Sequence, residues 1–281
     1  MKSGFVAVVG RTSVGKSTLV NRIVGKKVSI TATTPHTTRS TIRGIYNGED
    51  AQIVLVDTPG IHRPSGPLSG HLNLTAAAAI KDSPEVVMLV VDGHAGIGPG
   101  DIRIAKTLPQ DSVVVINKID RMNKTQIAAQ LMLSFEKLGF RDNAEYVPVS
   151  AASGGGIDEL REVLKSKLSD GPAWFDVEET SDVPEDFYIA ELIREQVLKL
   201  ARDELPSSIA CQIKEWEPAY MLCEIIVERD SQKPIVLGKG GKNLGNIRRA
   251  VQPKLPKGTK LELVVSVNKN WKRNPERLGY F

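Results

Sequence analysis

The sequence predicts a doubly wound α/β domain, a mostly parallel sheet with one antiparallel edge hairpin, followed by a smaller α+β domain. Three observations carry this. Continuous apolar, β-rich runs alternate with helical patterns over the first 170 residues, as in a parallel sheet covered on both faces. An acidic, aperiodic stretch with two prolines then interrupts the pattern. Beyond it the order of elements changes to a helix, two strands, a glycine–lysine loop, a basic helical stretch and a last strand.

The strands of the first part are FVAVVG (5–10), AQIVLVD (51–57), EVVMLVVD (85–92), SVVVIN (112–117) and AEYVPVS (144–150). Helical patterns between them include STLVNRIVG after the first strand, TQIAAQLMLSFEKLG (125–139) and IDELREVLKSKL (157–168). STIRGIY and AQIVLVD flank Asn47-Gly48, the strongest short hairpin signal, so these two strands pair antiparallel at the sheet edge. The expected organisation is a first domain over 1–170, a linker over 171–186 and a second domain over 187–281. The second domain opens with an amphipathic helix, FYIAELIREQVLKLARDEL (187–205), stopped by Pro206. SSIACQIKEWE and YMLCEIIVERD are strands separated by Pro218. The basic helix should end near Val251, because Pro253 and Pro256 follow and proline inside a helix costs ~3 kcal/mol. LELVVSV (261–267) closes an α-β-β-α-(α)-β order, and no internal repeat is visible.

Composition excludes several classes. Of 281 residues, 41% are hydrophobic and 25% charged, ordinary for a soluble chain of about two domains. Two cysteines, Cys211 and Cys223, form neither a disulfide framework nor a metal cluster, and read as small buried side chains in a reducing compartment. Phe5–Val9 runs straight into a structural motif, leaving no N-terminal signal, and Lys81, Asp82 and Glu85 break the longest apolar region. The expected location is the cytoplasm. Charge is unevenly spread. Residues 1–180 carry 20 Lys/Arg and 19 Asp/Glu, 181–230 carry 5 and 12, and 231–281 carry 12 and 2, a block of +10. Such a block is either a solvated surface or a polyanion-binding face.

Residues 10–17, GRTSVGKS, fit the P-loop pattern between a strand and a helix. Backbone N–H groups of Gly10, Ser13, Val14, Gly15, Lys16, Ser17 and Thr18 can cradle phosphates at a helix N-terminus. Lys16 adds a point charge for the β- and γ-phosphates, and Ser17 a hydroxyl for Mg²⁺. In DTPG, Asp57 can hold Mg²⁺ through water, Thr58 and Pro59 complete the turn, and the Gly60 N–H can meet the γ-phosphate. In NKID, Asp120 can accept from guanine N1–H and N2–H₂, a donor pair adenine lacks. Lys118 can lay its stem over the base, and Asn117 can tie this loop to the P-loop. Backbone N–H groups at Ser150 and Ala151 can face guanine O6. All four motifs end predicted strands, where open α/β sheets bind ligands. The combination implies a GTP/GDP- and Mg²⁺-binding domain of the P-loop GTPase kind.

A threonine in TATTPHTTRS (31–40) can complete the Mg²⁺ shell when GTP is bound; Thr38 is the candidate and Thr37 the alternative. Lys16, Thr38 and Gly60 are the expected catalytic set. Many GTPases place a glutamine just after D-x-x-G, but here Ile61 stands there, so intrinsic hydrolysis should be slow. Arg39 and His62 are nearby polar groups for orienting the attacking water.

These motifs, together with AELIREQVLKLARDELP, PIVLGKGGKNL and VNKNWKRNP, resemble the Era family of bacterial GTPases over essentially the whole chain. The resemblance implies a G domain followed by an RNA-binding KH domain of type II. It further implies binding of the 3′ end of small-subunit ribosomal RNA, assistance to assembly of the 30S subunit from its precursor, a monomer, and peripheral association with the inner face of the cell membrane. The chain departs from the family at Thr12-Ser13, where Pro-Asn is usual and the asparagine helps hold a monovalent cation. A serine hydroxyl can still coordinate, so Ser13 leaves open whether K⁺ takes that place.

Gly238-Lys239-Gly240-Gly241 fits G-x-x-G, with no Ser or Thr after the lysine and hence no Mg²⁺ hydroxyl. Such a turn lets a nucleic-acid backbone approach, and KH domains clamp about four nucleotides this way. Lys239 and Lys242 would meet phosphates; Arg248 and Arg249 either contact RNA or are solvated. Ile235, Val236, Leu237 and Leu244 are expected in the core, and Trp271 either stacks on a base or packs. Two other functions fit the same residues: an RNA-binding assembly factor with structural GTP, and a signalling GTPase whose basic end docks on anionic membrane.

Overall fold

The computed structural model describes residues 1–32, 37–61, 67–82, 84–140, 143–200, 208–269 and 271–273. The chain divides into two compact units, Met1–Ser29 with Thr38–Asp182, and Ile30–Thr37 with Val183–Phe281.

The first unit is a six-stranded sheet in the order β2-β3-β1-β4-β5-β6. Its strands are β1 (Lys2–Val9), β2 (Ile42–Asn47), β3 (Ala51–Asp57), β4 (Val86–Asp92), β5 (Val113–Asn117) and β6 (Glu145–Pro148). β2 runs antiparallel to β3, and the other neighbours are parallel. The Gly48 N–H donates to the Ala51 carbonyl at 2.8 Å, closing the expected hairpin. Alternation explains the continuous apolar runs. Val6, Val8, Met88 and Val90 face one buried cluster with α1 (Lys16–Val24) and α5 (Ile157–Lys167). Ala7, Val9, Val87, Leu89 and Val91 face another with α3 (Pro99–Ala105) and α4 (Lys124–Leu138). Asn123 and Gln126 form a reciprocal cap at the start of α4, each side chain accepting from the other's backbone N–H at 2.9 Å. α3 and α2 (Pro67–Lys81) were not among the helices the sequence marked.

The stretch expected as a linker over 171–186 is largely hydrogen-bonded to the first unit. Buried Gln52 accepts from the N–H groups of Trp174 (2.7 Å) and Phe175 (3.0 Å) and donates to the Phe175 carbonyl (2.8 Å). Asn47 donates to the Glu179 carbonyl, the Ile45 N–H to the Thr180 carbonyl, and Ser181 to the Arg43 carbonyl. Long-range polar contacts order these residues, and they carry no local periodicity.

The second unit contains α6 (Glu185–Leu200), β7 (Ile209–Glu217), β8 (Tyr220–Val227), α7 (Lys233–Leu237), α8 (Lys242–Val251) and β9 (Lys260–Val267). β8 is central, antiparallel to β7 and parallel to β9. The expected stop of the first helix at Pro206 lies outside the described residues. α8 ends at Val251, and Pro253 sits in a 3-10 turn after it. Ile193, Val197, Met221, Ile225, Val236, Ile247 and Leu261 form the core. Cys211 and Cys223 are buried and form no disulfide, and burial pushes the Cys211 thiol up. One expectation changes and one alternative is decided. Ile235 is 49% exposed, because α7 turns Val236 inward and its neighbour outward. Trp271 is buried, with its indole N–H donating to the Ser208 carbonyl at 3.2 Å, so it packs and does not present a face for stacking.

Buried charges on α6 hold the backbone of Thr31 and Thr37. Arg194 makes a two-pronged contact with Glu191, both bonds 2.6 Å, and donates to the Thr37 carbonyl. Glu195 accepts from the Thr31 N–H at 3.0 Å. Among the described residues no helix is long and apolar enough to cross a membrane.

Gln52→Ala should cost about 1 kcal/mol or more of stability, because it strips partners from part-buried backbone groups. Urea denaturation measures this, and amide exchange should rise first at Trp174 and Phe175.

Candidate functional site

The four motifs lie at the carboxyl ends of β1, β3, β5 and β6. The strand order reverses about β1, whose neighbours are β3 on one side and β4 on the other, and open α/β sheets form their ligand crevice at such a point. The loop from Gly10 to Lys16 connects β1 to α1, and Gly15 enters the helix at φ 99°. Ser13 has φ +61°, a left-handed conformation that asparagine tolerates better than serine. Lys16 is buried, and its ammonium donates to the carbonyls of Gly10 (3.1 Å) and Arg11 (2.9 Å). Thr18 is half-buried in the first turn of α1. DTPG packs directly on this loop. A Cβ on Gly60 would lie 2.7 Å from Thr12 Cα, so only glycine permits the approach. Thr58 donates to the Val8 carbonyl at 2.8 Å, Pro59 is buried, and the Ile61 N–H donates to the Gly10 carbonyl at 3.1 Å.

Thr38 and Ser17 meet at 2.8 Å between hydroxyls, whereas Thr37 offers its carbonyl to Arg194. Neither buried carboxylate oxygen of Asp57 receives a hydrogen bond of good geometry, although the Ser17 and Ser29 hydroxyls lie near. Burial raises the Asp57 carboxyl, opposed by the Lys16 charge and by the Ser17 and Ser29 hydroxyls. Burial likewise pushes Lys16 down to about 8, against the pull of Asp57. Two adjacent hydroxyls beside an orphaned buried carboxylate fit a hard divalent cation such as Mg²⁺. Arg39 is fully buried; His62 lies outside the described residues.

Asn117 is the junction of the other side. Its amide nitrogen donates to the Val14 carbonyl (2.9 Å), and its oxygen accepts from the N–H groups of Lys118 (2.8 Å) and Ala151 (3.0 Å). Lys118, itself left-handed at φ +69°, donates to the Ser13 carbonyl at 2.9 Å and to Asp92 at 2.6 Å. Exposed Asp120 accepts from the Ser150 hydroxyl at 2.6 Å. Two contributors went unmarked in the sequence. Asp92 ends β4, and Arg22 donates from α1 to the carbonyls of Ala151 and Ala152. An aspartate closing a buried parallel strand was the available signal for Asp92; nothing local marked Arg22.

The second loop is built differently. Gly238, Gly240 and Gly241 all have positive φ, and a Cβ at Gly240 or Gly241 would meet nothing within 4 Å. Lys239, Lys242, Arg248 and Arg249 are exposed. Asn243 donates to the Ile235 carbonyl at 2.8 Å, tying α8 back to α7.

Residues 5–118 match the family model described as 50S ribosome-binding GTPase, and 204–272 the one described as KH domain. A GTPase Era of Mycobacterium sp. (strain JLS) is 45% identical over 294 aligned residues, covering 99% of this chain and 97% of the relative. One of Mycobacterium tuberculosis is 44% identical with the same coverage. The crystal structure of an Aquifex aeolicus Era variant bound to GDP·AlF₄⁻ superposes with a TM-score of 0.93 at 34% identity, covering 100% of this chain and 99% of that one. Era solved with MgGDPNP and nucleotides 1506–1542 of 16S ribosomal RNA gives 0.92 at 34% identity, with 100% and 98% covered.

Lys16 should titrate with a midpoint near 8, read from its ε-carbon resonance, being charged below and neutral above. Adding a phosphate-bearing ligand should move that midpoint up, because a nearby anion favours the ammonium.

Proposed function

The chain belongs to the Era family of GTPases, and from that premise we propose that it is a GTP-hydrolysing switch that binds small-subunit ribosomal RNA near its 3′ end and assists assembly of the small subunit. The observation that carries the reading is the pairing of two unlike phosphate-facing loops in one chain. One is buried beside an orphaned carboxylate at the carboxyl ends of the interior strands β1 and β3, and the other is exposed and glycine-lined in a block of +10. The Era solved with both MgGDPNP and a 16S fragment supports assigning one ligand to each loop.

In this reading the backbone from Gly10 to Thr18 cradles the phosphate tail, and Lys16 neutralises the β- and γ-phosphates. Ser17, Thr38 and, through water, Asp57 would hold Mg²⁺, which supplies charge neutralisation on the phosphates. The Gly60 N–H meets the γ-phosphate, so Thr38 and Gly60 let go when it leaves. Asp120 selects guanine, Ser150 orients that carboxylate, Ala151 faces O6 and Lys118 covers the base. The Ile61 side chain can neither donate to nor accept from the attacking water, and Arg39 is fully buried. Slow intrinsic turnover follows, with a partner group completing the site. Ser13 contributes its carbonyl to Lys118, and its hydroxyl remains the only side-chain donor offered at that position to K⁺.

Gly238–Lys242 would clamp the RNA backbone, with Arg248 and Arg249 extending the positive face along α8. We place this work in the reducing cytoplasm, in keeping with two cysteines that form no disulfide, and as a monomer. Peripheral membrane association remains an implication of the resemblance, and no residue described above is assigned to it.

Gly240→Asp should preserve the fold, since nothing crowds the site and aspartate tolerates this φ at a cost of ~1 kcal/mol. It should lower affinity for a 16S 3′-end oligonucleotide at least about tenfold, by repulsion from phosphates, while leaving GTP hydrolysis intact. Filter binding and phosphate release check both. Equal RNA affinity would remove the RNA-clamp assignment.

A further inference from the structure

The loop joining β4 to α3 belongs to none of the four nucleotide motifs, yet a carboxylate at each end reaches one of them. At its start, Asp92 accepts from the Lys118 ammonium at 2.6 Å through Oδ2 and from the Ala95 N–H at 3.0 Å through Oδ1. At its far side, buried Asp101 accepts from Arg11 Nε at 2.7 Å through Oδ1 and from the Gly98 N–H at 2.9 Å through Oδ2. Each carboxylate thus spends one oxygen on its own loop and the other on a cation from a nucleotide motif. Asp92 and Asn117 are also register partners at the ends of β4 and β5, and the Gly93 N–H donates to the Asn117 carbonyl at 2.8 Å. The base of the NKID loop is therefore fixed to β4 by backbone as well as by side chain.

We propose that Asp92 is a positioning residue for nucleotide binding: it anchors the Lys118 ammonium so that the lysine stem is already laid where the guanine base docks. The proposal rests on the reading of residues 117–120 as the guanine-binding loop. Lysine is long and rotamer-rich, and ordering it at the moment of binding costs affinity. Here the ammonium is held between the Ser13 carbonyl and Asp92, which fixes the far end of the stem before any base arrives. The pair is more than a solvent-screened surface contact. Only 24% and 16% of the two side chains are exposed, and the bond is short and charge-assisted. Burial works to raise the Asp92 carboxyl, yet its hydrogen bonds from Lys118, Ala95 and His94, with the Lys118 charge, hold it below its ordinary value. Because the contact is on the base side, GTP and GDP should feel its loss equally, and the chemical step should not.

Asp92→Asn is the informative variant, because the remaining oxygen can still accept from Ala95 while the charge is gone. Binding of fluorescent GDP and GTP should weaken about tenfold, to the same degree for both. KM for GTP should rise with kcat held, and the thermal midpoint of the nucleotide-free protein should stay within about 2 °C. Lys118→Met keeps an apolar stem without the charge and should show a similar loss. The double variant should bind no more weakly than the worse single one. Unchanged GDP affinity in Asp92→Asn, fully multiplicative losses in the double variant, or a large drop in the nucleotide-free midpoint would each overturn the positioning role. Asp120→Asn separates this from the reading beneath it. If that variant keeps its preference for guanine over hypoxanthine nucleotides, the loop assignment itself fails. If the preference is lost while Asp92→Asn binds normally, only the role of Asp92 fails.

Discussion

One buried carboxamide holds the nucleotide end of the first unit in register. Asn117 is 2% exposed and joins the loops after β1, β5 and β6 through the Val14 carbonyl and the Lys118 and Ala151 N–H groups. Each buried backbone group left unpaired costs about 1–3 kcal/mol, so these contacts are a condition on the local fold as well as on a ligand. An aspartate would lack the donor for Val14, and a leucine would satisfy none of the three. The carboxylate of Asp92, the guanidinium of Arg22 and the hydroxyl of Ser150 then orient what Asn117 has gathered.

The two phosphate-facing loops solve different electrostatic problems. In the first, an ammonium and a carboxylate are both buried, and each is shifted toward its neutral form by that burial. Such an arrangement stores unfavourable desolvation that a phosphate and a divalent cation relieve. In the second, the lysines are solvated and the glycines are open to approach, so each charge is screened by water and salt and several must act together. A small, tightly charged ligand suits the first design, and a long polymer with evenly spaced charges suits the second.

Much of this was legible in the sequence because its signals are local. Strands buried on both faces read as unbroken apolar runs, Asn47-Gly48 announced its hairpin, and Pro253 marked where α8 must stop. The motif residues could be placed because each ends a strand. Other features were hidden because their causes are distant. α2 carries a run of four alanines and shows little amphipathic contrast, and α3 begins in a glycine-rich loop. The 171–182 stretch gains its order from Gln52, more than 120 positions earlier. Ile235 left its expected environment, since hydrophobicity alone does not say which face of a short helix is covered, and Trp271 stayed open until a carbonyl was found for its N–H.

The 30–37 segment has a consequence for how the chain is made. Thr31 and the Glu195 carboxylate that holds its N–H are separated by 164 positions, and Thr37 is held by an arginine 157 positions away. A growing chain emerges from its N-terminus, so the sheet from β1 to β6 can be laid down while this segment still lacks its anchors. Contacts of such long range are slow to close because loop entropy must be overcome first. The contacts of Thr31 and Thr37 can therefore be made only after α6 has been translated, while the nucleotide-facing loops after β1, β3, β5 and β6 can assemble before it.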